Sequence, residues 1–567
     1  MFGMSAHGDD EEKDSTTSRR RIMQTTGAGA AFLLAGCVGD EAGEPEDGDP
    51  LDGDDDIDDA ESVFIEGMGA NSSTLDVHGE PRVPNSIVHE SIYENLFVMS
   101  PDLEVTPHLV DEWEVTDDAS QYDFQLKEGI NFHDGNELTA EMAAANFERM
   151  LDISPRASLL GPAESIEAVD EYHLRFEYGE PFPILPRNLT DSMAAILSID
   201  AVETAGDAYG QEAAVGTGPF MFERWDRDEQ VVLTRNDEYD WGPDFLSNTG
   251  PAHFEEIHFR HVPENTTLFN ELTVGNVDGT TYVPTESANE VAEHENTSLE
   301  RSDFPHPSYL AMNVTNPPTD EVEVRRAIGH AVNREAVIEA ALSGEATPIR
   351  NIVPPLSFNA LDEDETSELG IEYDPGQARE ILESVGWTND AEGEVRTRDG
   401  DDLEVMFTAF TIDRYSRIGE VVQAMLGEVG FEVDLNVLEA GTLYDTLEGS
   451  EHNITTMSWS TADFALSILD AILSGENVAT EGGSNYAIWD NDEFNELIST
   501  ARTTADEDAR IEAIKDAQRV VLDDVPVHPI ATYTKHYGHK NDVDAEGWFD
   551  HPWWSNIHQI HRLEVEL

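Results

Sequence analysis

Apolar and polar positions alternate with two different periods along this chain, and the rhythm changes near Tyr309. Before that point short period-two runs dominate. Val63, Phe64 and Ile65 form one short apolar run. Tyr122, Phe124 and Leu126 alternate with polar neighbours, as do Tyr172, Leu174, Phe176 and Tyr178, which predicts half-buried strands. Strands are also predicted at 231–233 and around Ile257 and Phe259. Helices are predicted over 87–97, from Thr139 onward and over 266–274. Thr139 can cap the second of these, and Ala143, Phe147, Met150 and Leu151 are expected on one face.

After Tyr309, strands and helices take turns. Asp320 is expected to cap a helix through Val324, Ile328, Ala331 and Val332. Asp374-Pro375 opens another, with proline at its first position and Gly386 closing it. Strands at 403–407, 431–437 and 454–459 are interleaved with helices at 418–429 and 443–447. Helices near 492–503 and 506–522 precede a last strand at 527–533. Such alternation predicts a largely parallel sheet with helices on its faces, an α/β fold. Trp548, Phe549, Trp553 and Trp554 are expected to pack in a core. The turn Val215-Gly216-Thr217-Gly218-Pro219-Phe220 is not a phosphate loop, because no Lys-Ser/Thr follows.

The first 61 residues break the pattern. Residues 40–61 are rich in Asp, Glu and Gly without one cation, a composition that cannot collapse and reads as a spacer. Acidity then extends to the whole chain: 119 acidic against 31 basic residues, net charge -88. Lysines are Lys13, Lys127, Lys515, Lys535 and Lys540. Such charge repels itself at ordinary ionic strength and is screened in molar salt. The composition resembles that of proteins from extreme halophiles, particularly haloarchaea. Nucleic acid is disfavoured as a partner, because no basic patch exists.

Cys37 is the sole cysteine, so no disulfide forms within the chain. Ahead of it stand Arg19, Arg20 and Arg21, then an uncharged run ending Leu34-Ala35-Gly36. Cations, a modest apolar core and a small-residue exit make an export signal. Arg19 and Arg20 resemble a twin-arginine (Tat) signal, and Leu34 to Cys37 resembles a lipobox, in which Cys37 carries the lipid. The run is too short for a membrane span. The expected order is a signal at 1–37, a linker at 38–61 and a globular body tethered outside the cytoplasmic membrane. A buried N-terminal helix is the alternative.

Five segments together resemble the family 5 extracellular solute-binding proteins, the peptide/nickel-binding subunits of ABC importers. They are Leu109 to Gly135, with Trp113 and Phe132-His133-Asp134-Gly135; Val215 to Phe220 with Arg235-Asn236 and Tyr239; Leu272 to Asp278; Asn313 with Val324 to Glu335; and Asp374 to Trp387. The match runs in register from about residue 62 to 540. The resemblance implies a two-lobed periplasmic-binding-protein-like fold (type II, cluster C) with a hinge between the lobes. It places lobe I at 62–306 plus 527–567, with an extra subdomain near 98–214, and lobe II at 307–526. It implies a monomeric, non-enzymatic receptor without a cofactor, closing on a peptide or other small solute and delivering it to importer permease subunits.

Trp459-Ser460-Thr461-Ala462-Asp463 is similar to the family's Trp-x-Ala-Asp segment, but one residue longer. The resemblance makes Asp463 the partner of a ligand amine, Trp459 a pocket wall and Val83 a position pairing with peptide backbone. The extra residue puts dipeptide specificity in doubt. Nickel, sugars or opines are alternative ligands. His528, His536, His539, His551, His558 and His561 crowd the last 40 residues and suit nickel or zinc, although no ligand spacing singles them out. A secreted hydrolase, from another class, lacks support: there is no Gly-x-Ser-x-Gly, zincin helix or cysteine nucleophile. A sensor or surface-layer protein would need repeats or a stalk, and neither is seen.

Overall fold

The computed structural model describes residues 62–101, 103–389, 391, 394–459, 464–545 and 564–565, and its framework is an 11-stranded mixed sheet. β1 (Val63–Met68) is followed by α1 (Val83–Ile92). The strands β2 (Val110–Val115), β3 (Gln121–Leu126), β4 (Ala163–Ala168) and β5 (His173–Tyr178) form a separate four-stranded sheet, packed against α2 (Ala140–Ile153). The chain returns to the main sheet with β6 (Phe220–Asp226), β7 (Gln230–Arg235), β8 (Glu256–His261) and short β9 (Gly279–Thr280). Long β10 (Thr297–Met312) leads to α3 (Val322–Ala331), α4 (Arg334–Ala341), β11 (Ala346–Pro348) and α5 (Pro375–Ser384). β12 (Glu404–Phe410), α6 (Asp413–Val429), β13 (Glu432–Leu438), α7 (Ala440–Glu448) and β14 (Ile454–Ser458) then alternate. α8 (Ala465–Leu473), α9 (Asp492–Thr503) and α10 (Glu507–Asp524) precede β15 (Val527–Lys540). Among the described residues no helix is long and apolar enough to cross a membrane.

The main sheet runs β13-β12-β14-β10-β15-β9-β1-β8-β7-β6, with β11 beside β15. β12 pairs in parallel with both β13 and β14, whereas β14 meets β10 antiparallel. Period two sorts the side chains of β10: Tyr309 and Ala311 join one apolar cluster, Leu310 and Met312 another. Helices α8 to α10 cover the first face, and α3 to α6 the second. Both faces of this end of the sheet are therefore buried, which explains its apolar strands.

β10 and β15 carry the sheet from one end to the other. Asp303 faces Thr534, but Pro307 faces Thr532, so the register slips between them. A slip of this kind bends a strand and increases its local twist. Glu345 and its partners clamp this bend. Arg301 donates through Nε and Nη2 to the two Glu345 oxygens, each at 3.0 Å, and His536 Nε2 lies 2.9 Å from Oε2.

Several cations sit inside rather than on the surface. Buried Arg325 donates to the carbonyls of Thr319, Asp320, Asp524 and Val525, and pairs with the Asp524 carboxylate at 2.9 Å. Arg334 holds the carbonyls of Ile371 and Pro529, and Arg396 those of Trp387 and Val429. Each guanidinium satisfies chain ends that buried turns leave open.

The structure corrects several local expectations. The helix predicted over 87–97 runs instead from Val83 to Ile92. It stops where the Ile92 carbonyl accepts from Gly218 N at 2.9 Å, a tertiary contact no local pattern carries. Two residues on, Glu94 is buried among four donors: His108 Nε2 (2.8 Å), Tyr239 Oη (2.7 Å), Thr217 Oγ1 (2.8 Å) and Trp241 Nε1 (2.8 Å). Burial alone would raise this carboxyl, but the His108 charge and these hydrogen bonds outweigh it and hold it below the usual range. Thr139 caps α2 as expected, yet Leu151 is exposed rather than on the buried face with Ala143, Phe147 and Met150. Asp320 does not cap α3; Glu321 precedes the helix without a side-chain cap, and its carboxylate pairs with Arg398. Asp374 caps α5 as expected, through the Gln377 N–H at 2.9 Å. Trp548, Phe549, Trp553 and Trp554 lie outside the described residues.

Candidate functional site

Parallel strands bring their carboxyl ends to one edge, and in open α/β sheets ligands bind beyond that edge. Here β12 ends at Phe410, β13 at Leu438 and β14 at Ser458, with α6 and α7 starting just after the first two. The antiparallel pairing of β14 with β10 sets Ser458 opposite Ser308, one residue past the register slip. The parallel strand ends therefore open onto the bend of the two long strands.

Side chains converge there from five segments. Ser458 Oγ shares a 2.7 Å hydrogen bond with Tyr415 Oη and lies 2.9 Å from His306 Nε2. The His306 ring meets Tyr533 edge-on at 5.0 Å. Arg414 lies over the rings of Tyr415 (4.8 Å) and Tyr533 (5.4 Å) and donates to Tyr415 Oη at 3.3 Å. Farther along β15, Lys535 Nζ stands 5.7 Å from the Phe304 ring centre. Burial pushes this lysine down to about 7, with Glu90 of α1 pulling the other way. The site thus mixes a rigid aromatic wall with buried charge from both ends of the sheet.

His306 is held neutral by burial, and Arg414 adds to the effect, so its pKa falls to about 3. The unfolded chain takes a proton near pH 6.5 that the folded chain refuses until far lower. Stability from this group is present at neutral pH and is lost as pH drops below 6.5, by about 1.4 kcal/mol per pH unit. His306→Gln should flatten the pH dependence of unfolding by that slope. Denaturant titrations of both proteins at pH 7 and pH 5 check it, and equal slopes would refute it.

Trp459 follows β14. Its backbone N donates to Pro307 O at 3.1 Å, and its buried Nε1 makes no hydrogen bond with any described residue. A buried indole N–H without a partner is uncommon and marks a place where another group is needed. Val83 opens α1 at the other end of the sheet and is 43% exposed. Asp463, Cys37, Arg19 and Arg20 lie outside the described residues. Tyr415, Tyr533, His306, Arg414 and Lys535 were not singled out by sequence. For Arg414 and Tyr415 the signal is a strand end followed at once by a helix start at Thr411-Ile412-Asp413; His306, Tyr533 and Lys535 carry no such local signal.

The histidines of β15 are engaged in the fold. His528 is buried, His536 pairs with Glu345, and His539 Nδ1 lies 2.8 Å from the Lys540 carbonyl oxygen. Among the described residues no group of three or more His, Cys, Asp or Glu could hold a metal ion. His551, His558 and His561 are outside them.

Comparison with known proteins matches residues 104–478 to the family described as bacterial extracellular solute-binding proteins, family 5 Middle. A glutathione-binding protein, GsiB, from Shigella flexneri is 26% identical over 475 residues, covering 82% of this chain and 87% of its own. Among solved structures, NikA from Brucella suis in complex with Fe(III)-EDTA superposes with TM-score 0.76 at 22% identity, over 89% of this chain and 100% of its own. DppA from Helicobacter pylori in complex with the peptide STSA superposes with TM-score 0.66 at 23% identity, over 89% and 98%. These likenesses give the two-lobed type II architecture of periplasmic binding proteins.

Proposed function

Because the chain belongs to the bacterial extracellular solute-binding proteins of family 5, we propose that it is a lipid-anchored receptor that closes on short peptides and hands them to an ABC importer. The observation that carries this reading is the meeting of the β12, β13 and β14 carboxyl ends with the bend in β10 and β15, beside Trp459, whose buried indole N–H has no partner among the described residues. Lobe I comprises 62–306 and 527–567, with a subdomain near 98–214, and lobe II comprises 307–526; the register slip between Asp303 and Pro307 supports that division. Closure is a hinge motion about this bend, and ligand favours the closed state by its added contacts. Val83 pairs with ligand backbone from lobe I, Trp459 walls the pocket and Asp463 receives the ligand's amine. A buried ammonium requires such a carboxylate, since unpaired burial of charge is costly.

The export signal with Arg19 and Arg20, the lipid on Cys37 and the acidic linker at 38–61 put the monomeric receptor on the outer face of the membrane. The acidity adapts it to brine. The family and its structural neighbours are binding proteins, and the receptor returns its ligand unchanged.

Mass spectrometry of molecules released by denaturation, after purification in molar salt, tests this. Short peptides with free amino termini are expected. Asp463→Ala should weaken their binding by roughly 100-fold, the consequence of leaving one partner of a buried charge pair alone. Peptides retained by that variant would remove Asp463 from the site. A metal or a sugar in their place would overturn the peptide reading.

A further inference from the structure

We infer that the pocket at the carboxyl ends of β12, β13 and β14 selects a ligand side chain that carries an aromatic ring. This rests on the peptide-receptor reading and sharpens it. The pocket encloses about 400 Å³. That lies at the low end of small-ligand sites, roughly 300–1,000 Å³, so it fits one side chain rather than a whole peptide.

Its walls are Phe410, Ile412, Tyr415, Tyr444 and Met457, with Glu439 among its lining residues. The helical period of α7 sends Leu443 and Leu447 into the core and leaves Ala440 and Tyr444 lining the pocket. Tyr444 is fixed from two sides: Phe410 stands edge-on at 5.6 Å and 74°, and Tyr486 lies at 6.3 Å. Phe410 in turn meets Tyr415 at 5.3 Å, and Tyr415 is pinned by Ser458. The rings are thus set before any ligand arrives, which lowers the ordering cost of binding. Aromatic pairs favour this range of separations and tilts.

Tyr444 is nevertheless 40% exposed and Ile412 52% exposed, and the two share this pocket. Unlike apolar residues exposed singly elsewhere, these two meet in one concave site, where a ligand group can cover them. The pocket is continuous with the candidate site through Ser458 and Tyr415, which belong to both. Glu439 is exposed and is one of 119 acidic residues, so it gives no separate reason to expect a cation.

Calorimetric titration of the full chain in molar salt tests the inference. The probes are tri-alanine and its variants carrying Phe, Leu or Arg at each of the three positions. At one position Phe should bind roughly tenfold tighter than Leu or Arg. Tyr444→Ala should erase that preference, while Tyr444→Phe should keep it. Equal binding of Phe and Leu peptides at every position overturns the inference, as does a preference that survives in Tyr444→Ala. Tightest binding of an Arg peptide, lost in Glu439→Gln, also overturns it and assigns the pocket to cations. If the peptides co-purified from the wild-type protein are absent and no probe binds, the peptide reading falls and takes this inference with it.

Discussion

Glu94→Ala is expected to cost roughly 3–5 kcal/mol of stability, the scale for removing one partner from a buried charged network. The carboxylate gathers His108, Thr217, Tyr239 and Trp241 at 2.7–2.8 Å. Those donors come from separate stretches of chain, so one side chain ties the end of α1 to the segment just before β2, the turn before β6 and the loop after β7. Truncation leaves four donors buried, and each loses a partner that water cannot replace. Glu94→Gln keeps the shape but exchanges two acceptor oxygens for one oxygen and one donating amide, so the amide either faces the donor-only Trp241 or requires Tyr239 and a neutral His108 to turn acceptors toward it. Its loss should be smaller than that of the alanine variant. Urea unfolding followed by circular dichroism in molar salt gives both values. A cost for Glu94→Ala below about 1 kcal/mol, the level of an exposed ion pair, would sink the assignment.

Dilution of salt should have an effect of similar or greater size. At 0.1 M salt charges interact over about 10 Å, at 1 M over about 3 Å. The chain carries 119 acids and 31 bases. Its attractive surface pairs, such as Arg326 with Asp523 and Arg417 with Asp413, are limited by the supply of cations. Each exposed pair contributes roughly 0–1 kcal/mol and weakens in salt. Repulsion among the excess acids weakens too, and it involves far more charges, so screening favours the folded state. The unfolding temperature should climb steadily between about 0.1 and about 2 M sodium chloride, and much of the protein should lose its near-UV signal at the low end. A flat or falling curve would show that the acidity serves something other than brine.

Strand and helix identities were mostly legible because apolar periodicity follows burial directly. β3, β5, β12 and β14 fall where alternation or apolar runs put them. What escaped was set by distant partners. β15 was predicted to end at Tyr533, yet it continues to Lys540. Its later residues are polar, and they are held by groups far off in sequence: His536 by Glu345, Tyr537 by Glu66 and Lys540 by Asp278. No local period records such pairing. α6 likewise starts at Asp413, well before the predicted 418. Its first turn is polar and aromatic: Arg414 lies over the Tyr533 ring and Tyr415 hydrogen-bonds Ser458. The candidate site was therefore only half visible: Trp459 stood out through family resemblance, whereas the aromatic wall of Phe410, Tyr415 and Tyr533 is assembled from strand ends and helix starts that sequence leaves unconnected.

The position of β15 has a bearing on biosynthesis. Among the described strands it alone bridges β10 and β9, so without it the sheet falls into two pieces and short β11 loses its partner. It also leaves the ribosome after every other strand of this sheet. Each half can gather its own helices during translation, but the junction between them waits for residue 540. Until then the nascent chain carries a long unpaired edge on β10, a surface prone to pairing with a neighbouring chain. Ribosome-stalled chains ending before and after β15 should therefore differ sharply in protease resistance, with both halves gaining protection together once β15 emerges.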